Sequence, residues 1–127
     1  MDKNKSKKLE QIVSDLSPNE YSFDSEIIKN YSVDWRKEYF GNSNLITFPK
    51  TTKSLQAIVK KCIKNKISIV PQGGNTGLVG GSVPTNNGDE IIINLSKLNK
   101  IRTLNKDSST ITLESGCILE DIHKFTF

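Results

Sequence analysis

The sequence predicts an α+β fold, a small mixed sheet with flanking helices. Three observations predict it. A strand–helix–strand pattern runs from residue 44 to residue 70, two further strand patterns follow, and a glycine-rich loop joins the two parts. That loop, "PQGGNTGLVGGSVP" at 71–84, carries five of the chain's eight glycines. Glycine has the most conformational freedom to lose on folding. Such a cluster marks backbone that must turn unusually or be approached very closely.

The elements follow in order. Leu9, Ile12, Val13 and Leu16 recur at helical spacing, and Pro18 ends that helix. "EIIKNYSVDWRKEYFG" is mixed in character, with Trp35, Tyr39 and Phe40 gathered before Gly41. "NLITFP" reads as a strand stopped by Pro49. Thr51 or Thr52 caps the next helix, in which Leu55, Ile58, Val59, Cys62 and Ile63 form one apolar face and lysines the other. "ISIV" at 67–70 is a second strand that Pro71 ends, and a right-handed parallel crossover is expected between the two. After the loop, "EIIIN" reads as a buried strand and "TITLES" as an alternating one, with "NNGD" and "NKDSS" as turns. Ile118, Leu119, Ile122 and Phe125 begin a last amphipathic helix. It stops within two turns, where helices average about three. That predicts the N-terminal piece of a longer protein.

Composition narrows the function classes. The chain has 127 residues, 35% hydrophobic and 25% charged, as in a soluble globular domain. No apolar run is long enough to span a bilayer, and the start "MDKNKSKKLEQ" has neither a secretory signal nor an arginine-rich transit pattern. Cys62 and Cys117 lack metal-ligand spacing, so neither a metal site nor a disulfide framework is expected, and a reducing compartment fits, cytoplasmic or, in a eukaryote, the mitochondrial matrix. The net charge of +4 raises the question of nucleic acid, but the basic residues are lysines spread along the chain, apart from Arg36 and Arg102. Phosphate- and base-reading surfaces favour arginine, so no nucleic-acid partner is expected.

The loop is not a G-x-G-x-x-G fingerprint, since no two of its glycines are separated by one residue, and it lacks the Gly-Lys-Ser/Thr of a P-loop. It has Gly73-Gly74, Gly77 and Gly80-Gly81 at three-residue steps, with Asn75, Thr76 and Ser82 among them. Bare backbone N–H groups can converge on an anion as a nest, and a pyrophosphate suits them. The alternative is a purely structural loop or a linker. Leu78 and Val79 in its middle and prolines at both ends disfavour the linker.

No residue qualifies as catalytic. His123 falls on the polar side of the last helix, where a solvated position is expected. Cys117 is expected to be a small packed residue, Trp35 and Tyr39 to pack in the core, and Asp34 and Glu38 to be surface charge.

The loop resembles the flavin pyrophosphate loop of the FAD-linked oxidases whose FAD-binding domain is of the vanillyl-alcohol-oxidase or p-cresol-methylhydroxylase (PCMH) type. "YSVDWRKEYFG", "ITFPKTTKSLQAIVKKCIKNKISIVPQGG", "DEIIINLSKLNKI" and "ITLESGCILEDIHKF" are similar to the D-2-hydroxyglutarate and D-lactate dehydrogenase branch. The resemblance implies an N-terminal helical segment at 1–42 and the N-terminal portion of a PCMH-type FAD-binding domain at 43–127. It implies that Gln72, Gly73, Gly74, Asn75, Thr76, Gly77, Gly80, Gly81 and Ser82 hold the FAD diphosphate and ribityl chain, with Gly116 in a turn near the cofactor. Relatives that bond FAD covalently often carry histidine directly after the Gly-Gly pair. Asn75 stands there, which implies non-covalent FAD.

The implied activity is oxidation of a D-2-hydroxy acid to the 2-oxo acid, with hydride passing from C2 to flavin N5. The substrate site and the contact with an electron acceptor would lie in the C-terminal part, with this portion inactive alone. The alternatives are an oxidase of another substrate, such as glycolate, an aldonolactone or a cell-wall nucleotide sugar, and a non-enzymatic nucleotide- or anion-binding module.

Overall fold

The computed structural model describes residues 2–126. Helix α1, Lys3–Val13, starts at Asp2, whose carboxylate accepts the N–H of Asn4, and buries Leu9, Ile12 and Val13. A 3-10 turn at Pro18–Glu20 leads into strand β1, Tyr21–Ser22, and then helix α2, Ser25–Tyr31, capped by Asp24. Strand β2, Ile46–Thr47, precedes helix α3, Thr52–Asn65. Thr51 caps α3 as one of the two expected residues, its hydroxyl accepting the Ser54 N–H, and Lys66 ends it in the left-handed region. Strands β3, Ser68–Gln72, and β4, Glu90–Asn94, flank the glycine loop. A hairpin of β5, Ile101–Asn105, and β6, Thr110–Leu113, then leads to helix α4, Leu119–Thr126.

The four-stranded sheet has the order β1-β2-β4-β3. β2 and β3 both run parallel to β4, and β1 is antiparallel to β2. The strand–helix–strand unit is therefore present, but β4 inserts between its two strands. Side chains alternate across a strand, so Ile91 and Ile93 face α1 and α3, packing with Leu9, Ile12, Leu45, Ile58 and Cys62. Ile92 faces the other way, with Ile28 and Ile46. Both faces of the central strand are covered, which explains its unbroken apolar run.

Several expectations are corrected. Pro71 does not end β3 but sits within it, opposite Ile93. β3 is an edge strand, where the missing N–H of proline removes no ladder bond. "NLITFP" contributes only two strand residues. Ile63 is exposed instead of joining the apolar face of α3, because that face is already closed by Ile58 and Cys62. Leu16 lies beyond α1, which ends at Val13, although it still packs on the core. Trp35 is 63% exposed and Tyr39 half-exposed, so neither packs in the core. Asp34 is not surface charge. It is buried, and its Oδ1 accepts the N–H groups of Glu38 and Tyr39, both at 2.8 Å, tying a tight turn that a helix would not form.

Glu20 ties the N-terminal layer to α3. Its carboxylate accepts the N–H of Ser17 at 3.2 Å and of Lys50 at 3.1 Å. Burial pulls this carboxyl upward, but those backbone donors, Ser54 and the Lys50 charge outweigh it and hold the group below its ordinary value. The unfolded chain therefore takes up the proton first as the pH falls. The stabilisation is present above the ordinary glutamate value and is lost as the pH falls through the lowered folded-state value. Glu20→Gln presents a donor to one of the two amides, and should melt about 5 °C lower at neutral pH, with the gap to wild type closing in acid as the carboxyl takes up its proton. Thermal melts at a series of pH values check this; a gap of constant size would contradict it.

Candidate functional site

Parallel strands β3 and β4 end in register, with Gln72 opposite Asn94. Ligands of open parallel sheets bind beyond such carboxyl ends, and the glycine loop leaves from this end. Beside it lies a cleft of about 650 Å³. Gly73, Gly74 and Thr76 of the loop line it, together with Ser96 and Asn99 after β4 and Ser115–Cys117, Ile118 and Ile122 around the start of α4.

The glycines fall into two groups. Gly80 has φ +75°, and a Cβ there would come within 2.7 Å of the Tyr39 ring. Gly116 is required by packing: a Cβ would lie 2.0 Å from the Leu95 carbonyl oxygen, and its N–H donates to Leu98 O at 2.7 Å. Gly73, Gly74, Gly77 and Gly81 are different. None lies in the left-handed region, and a Cβ on Gly73, Gly77 or Gly81 would meet nothing within 4 Å. The protein's own packing gives no reason for these glycines. An occupant that approaches the main chain does.

The donors point the same way. Among the described residues, no protein acceptor takes the backbone N–H of any residue from Gly73 through Ser82, whereas the flanking Val83 donates to Gly80 O and Leu95 to Gln72 O. A run of backbone donors without partners, next to a cleft and without a lysine in the loop, suits an anion with many acceptor oxygens.

The polar side chains attributed to the site divide in the same manner. Thr76 lines the cleft. Gln72 is 1% exposed and points inward, its Nε2 donating to Tyr31 O at 2.8 Å and Ser82 O at 2.9 Å while Oε1 accepts from Asn94 Nδ2 at 3.0 Å. Asn75, at φ +56°, donates from Nδ2 to Val33 O at 2.6 Å, and its Oδ1 accepts the Ser82 hydroxyl at 2.7 Å. These three side chains are engaged within the protein and support the loop from behind. Ser96 and Asn99 also line the cleft and were missed. They follow the apolar strand β4, a polar change at a strand end that could have flagged them.

His123 lies on exposed α4, and Cys117 is a half-buried cleft residue rather than packed core. Both cysteines are free thiols. No group of three or more His, Cys, Asp or Glu suited to a metal occurs among the described residues, and none of their helices is long and apolar enough to cross a membrane.

A loop of bare backbone donors at the carboxyl ends of parallel strands is suited to a nucleotide cofactor. The chain belongs to the FAD-binding domain family, whose model matches residues 43–127, and FAD is its cofactor. The described cleft fits that group, because Gly73 and Gly74 line it with no side chain and with N–H groups that no protein acceptor takes. The chain is 42% identical over 102 residues to the mitochondrial D-2-hydroxyglutarate dehydrogenase of Arabidopsis thaliana, covering 80% of this chain and 18% of the relative. It is 42% identical over 100 residues to a D-2-hydroxyglutarate–pyruvate transhydrogenase of Saccharomyces cerevisiae, covering 79% and 20%. A Schizosaccharomyces pombe protein provisionally named mitochondrial D-lactate dehydrogenase is 46% identical over 104 residues, covering 82% and 19%. The chain thus spans about a fifth of the length of these relatives. Among solved structures, p-cresol methylhydroxylase superposes with a TM-score of 0.82 at 21% identity, covering 98% of this chain and 25% of that one, which shows the PCMH-type fold.

One of the two thiols reports on the cleft. Burial pushes the Cys62 thiol up to about 11, so it stays silent to alkylating reagents at neutral pH, whereas Cys117 lines the cleft. FAD at about 100 times its Kd should slow alkylation of Cys117 at least tenfold. Mass spectrometry of the alkylated protein reads this directly; equal labelling with and without FAD would contradict occupation of the cleft.

Proposed function

We propose that this chain is the diphosphate-holding portion of a flavoenzyme that oxidises a D-2-hydroxy acid, D-2-hydroxyglutarate or D-lactate, to the 2-oxo acid. The observation that carries the reading is the run of partnerless N–H groups from Gly73 through Ser82 over glycines with open space above them. In this reading the backbone at Gly73, Gly74, Thr76, Gly77 and Gly81 holds the diphosphate oxygens. Gly80 makes the turn against Tyr39, and Gln72, Asn75 and Ser82 keep the donors converged. Neutral donors fixed in advance replace the point charge of a lysine. When bound, FAD would supply the two-electron acceptor that such an oxidation needs.

FAD is held without a covalent bond. Asn75 offers no nucleophile, and both ends of its amide are engaged by Val33 and Ser82. The substrate class rests on the D-2-hydroxy acid dehydrogenases among the relatives. Groups that bind the substrate carboxylate and accept the proton, and the contact with an electron acceptor, are assigned to the rest of the protein. The free thiols fit a reducing compartment, cytoplasm or mitochondrial matrix.

Anaerobic mixing of the FAD-loaded, full-length protein with D-2-hydroxyglutarate or D-lactate should bleach the flavin absorbance near 450 nm, a wavelength typical of oxidised flavins to within roughly 10 nm. L-enantiomers should leave it unchanged. Bleaching by glycolate or an aldonolactone alone would replace the substrate class. The loop itself is tested by Gly73→Ala, Gly77→Ala and Gly81→Ala. Each should leave the melting temperature of the FAD-free protein within about 2 °C of wild type, since each Cβ meets open space. Each should weaken FAD binding about tenfold or more. Gly116→Ala, whose Cβ meets the Leu95 carbonyl, should instead lower the melting temperature markedly. Unchanged FAD affinity in all three loop variants would contradict the assignment.

A further inference from the structure

The family match begins at residue 43, and the function proposed above gives the residues before it no task. They nevertheless meet the glycine loop along its length. Tyr31 O and Val33 O accept from the amides of Gln72 and Asn75. The Tyr39 ring lies against Gly80, close enough that a Cβ there would clash. The Gly41 N–H donates to Ser32 O at 2.8 Å, and a Cβ on Gly41 would lie 1.8 Å from Pro84 O. Asn42 N–H donates to Thr85 O at 2.9 Å, just past the loop's end.

We propose that residues 31–42 form a strap that sets the glycine loop in its cofactor-binding conformation, with Gln72 and Asn75 as positioning residues whose amides clip loop to strap. The inference rests on the reading of this loop as the diphosphate cradle. Its argument is conformational. A loop whose N–H groups make no bonds within the protein has no ladder to hold its shape, and ordering it on binding would cost conformational entropy at every residue. Asn75 is held in the left-handed region by two side-chain bonds, one to the strap and one to Ser82. Gln72 joins the first residue of the loop to Ser82 near its last, and both to Tyr31. The loop is thus braced at both ends before the cofactor arrives. The strap itself is stiffened by the Asp34 turn, through the N–H groups of Glu38 and Tyr39.

The test uses the full chain with Asn75→Gly, Ser82→Ala and the double variant. Glycine keeps the left-handed backbone available and removes both side-chain bonds of Asn75. Two measurements are made: the FAD dissociation constant from flavin fluorescence, and backbone 15N order parameters without FAD at 73–82 and in β4. The proposal predicts that each single variant weakens FAD binding about tenfold. Order parameters of the loop should fall while those of β4 stay unchanged, and Ser82→Ala should add nothing on the Asn75→Gly background. Additive losses of affinity, or weakened binding with unchanged loop order parameters, would make Asn75 a direct cofactor contact and overturn the strap. If the wild-type chain bound no FAD, the cofactor reading of the loop would fail. The order parameters would still decide the strap, supporting it if the variants loosen the loop and overturning it if they do not.

Discussion

Backbone N–H groups without acceptors are the constraint on which this structure turns. Nearly every such group in a folded protein is paired with the protein or with water, because leaving a buried one unpaired costs about as much as a lost hydrogen bond. The loop from Gly73 to Ser82 gives its own no protein acceptor, and Gly73, Gly74 and Thr76 line a cleft. Its turn bond, from the Val83 N–H to Gly80 O, uses none of these donors. Its shape must come from outside.

The rest of the fold supplies that shape. The covered faces of β4 fix the sheet, and the parallel register brings Gln72 and Asn94 side by side at one end. There the apolar core gives way to a small group of buried amides. Gln72 is the central member, with both donors and its acceptor oxygen used. A buried polar network is favourable only when its members are satisfied, and this one is. Charge plays little part, because the loop contains no lysine or arginine and the basic residues lie elsewhere on the chain.

The legible parts of the fold were those in which one local rule dominates. The period of α3, its threonine cap and the apolar run of β4 each follow from a single pattern. The misread parts involve two rules in competition. Pro71 looks like a stop until the strand is known to be an edge. Asp34 looks like surface charge because its partners are backbone amides a few residues on, which composition does not display. Strand β5 was absent from the reading because "IRTLN" is nearly all exposed and its pairing with β6 decides its conformation. The loop's place at the end of β3 was legible from its glycine spacing and from the strand pattern before it. The inward direction of Gln72 and Asn75 was not, since an amide in a glycine loop reads equally well as a ligand contact and as a brace.

The central claim is that the loop's own N–H groups hold the FAD diphosphate. Backbone amide shifts of the 15N-labelled protein, followed through titrations with FAD, ADP and riboflavin, test it most directly. The account predicts saturable shifts at Gly73, Gly74, Thr76, Gly77 and Gly81 with FAD and ADP, and none with riboflavin, which lacks phosphate. Shifts confined to other residues, or loop shifts produced equally by riboflavin, would contradict it.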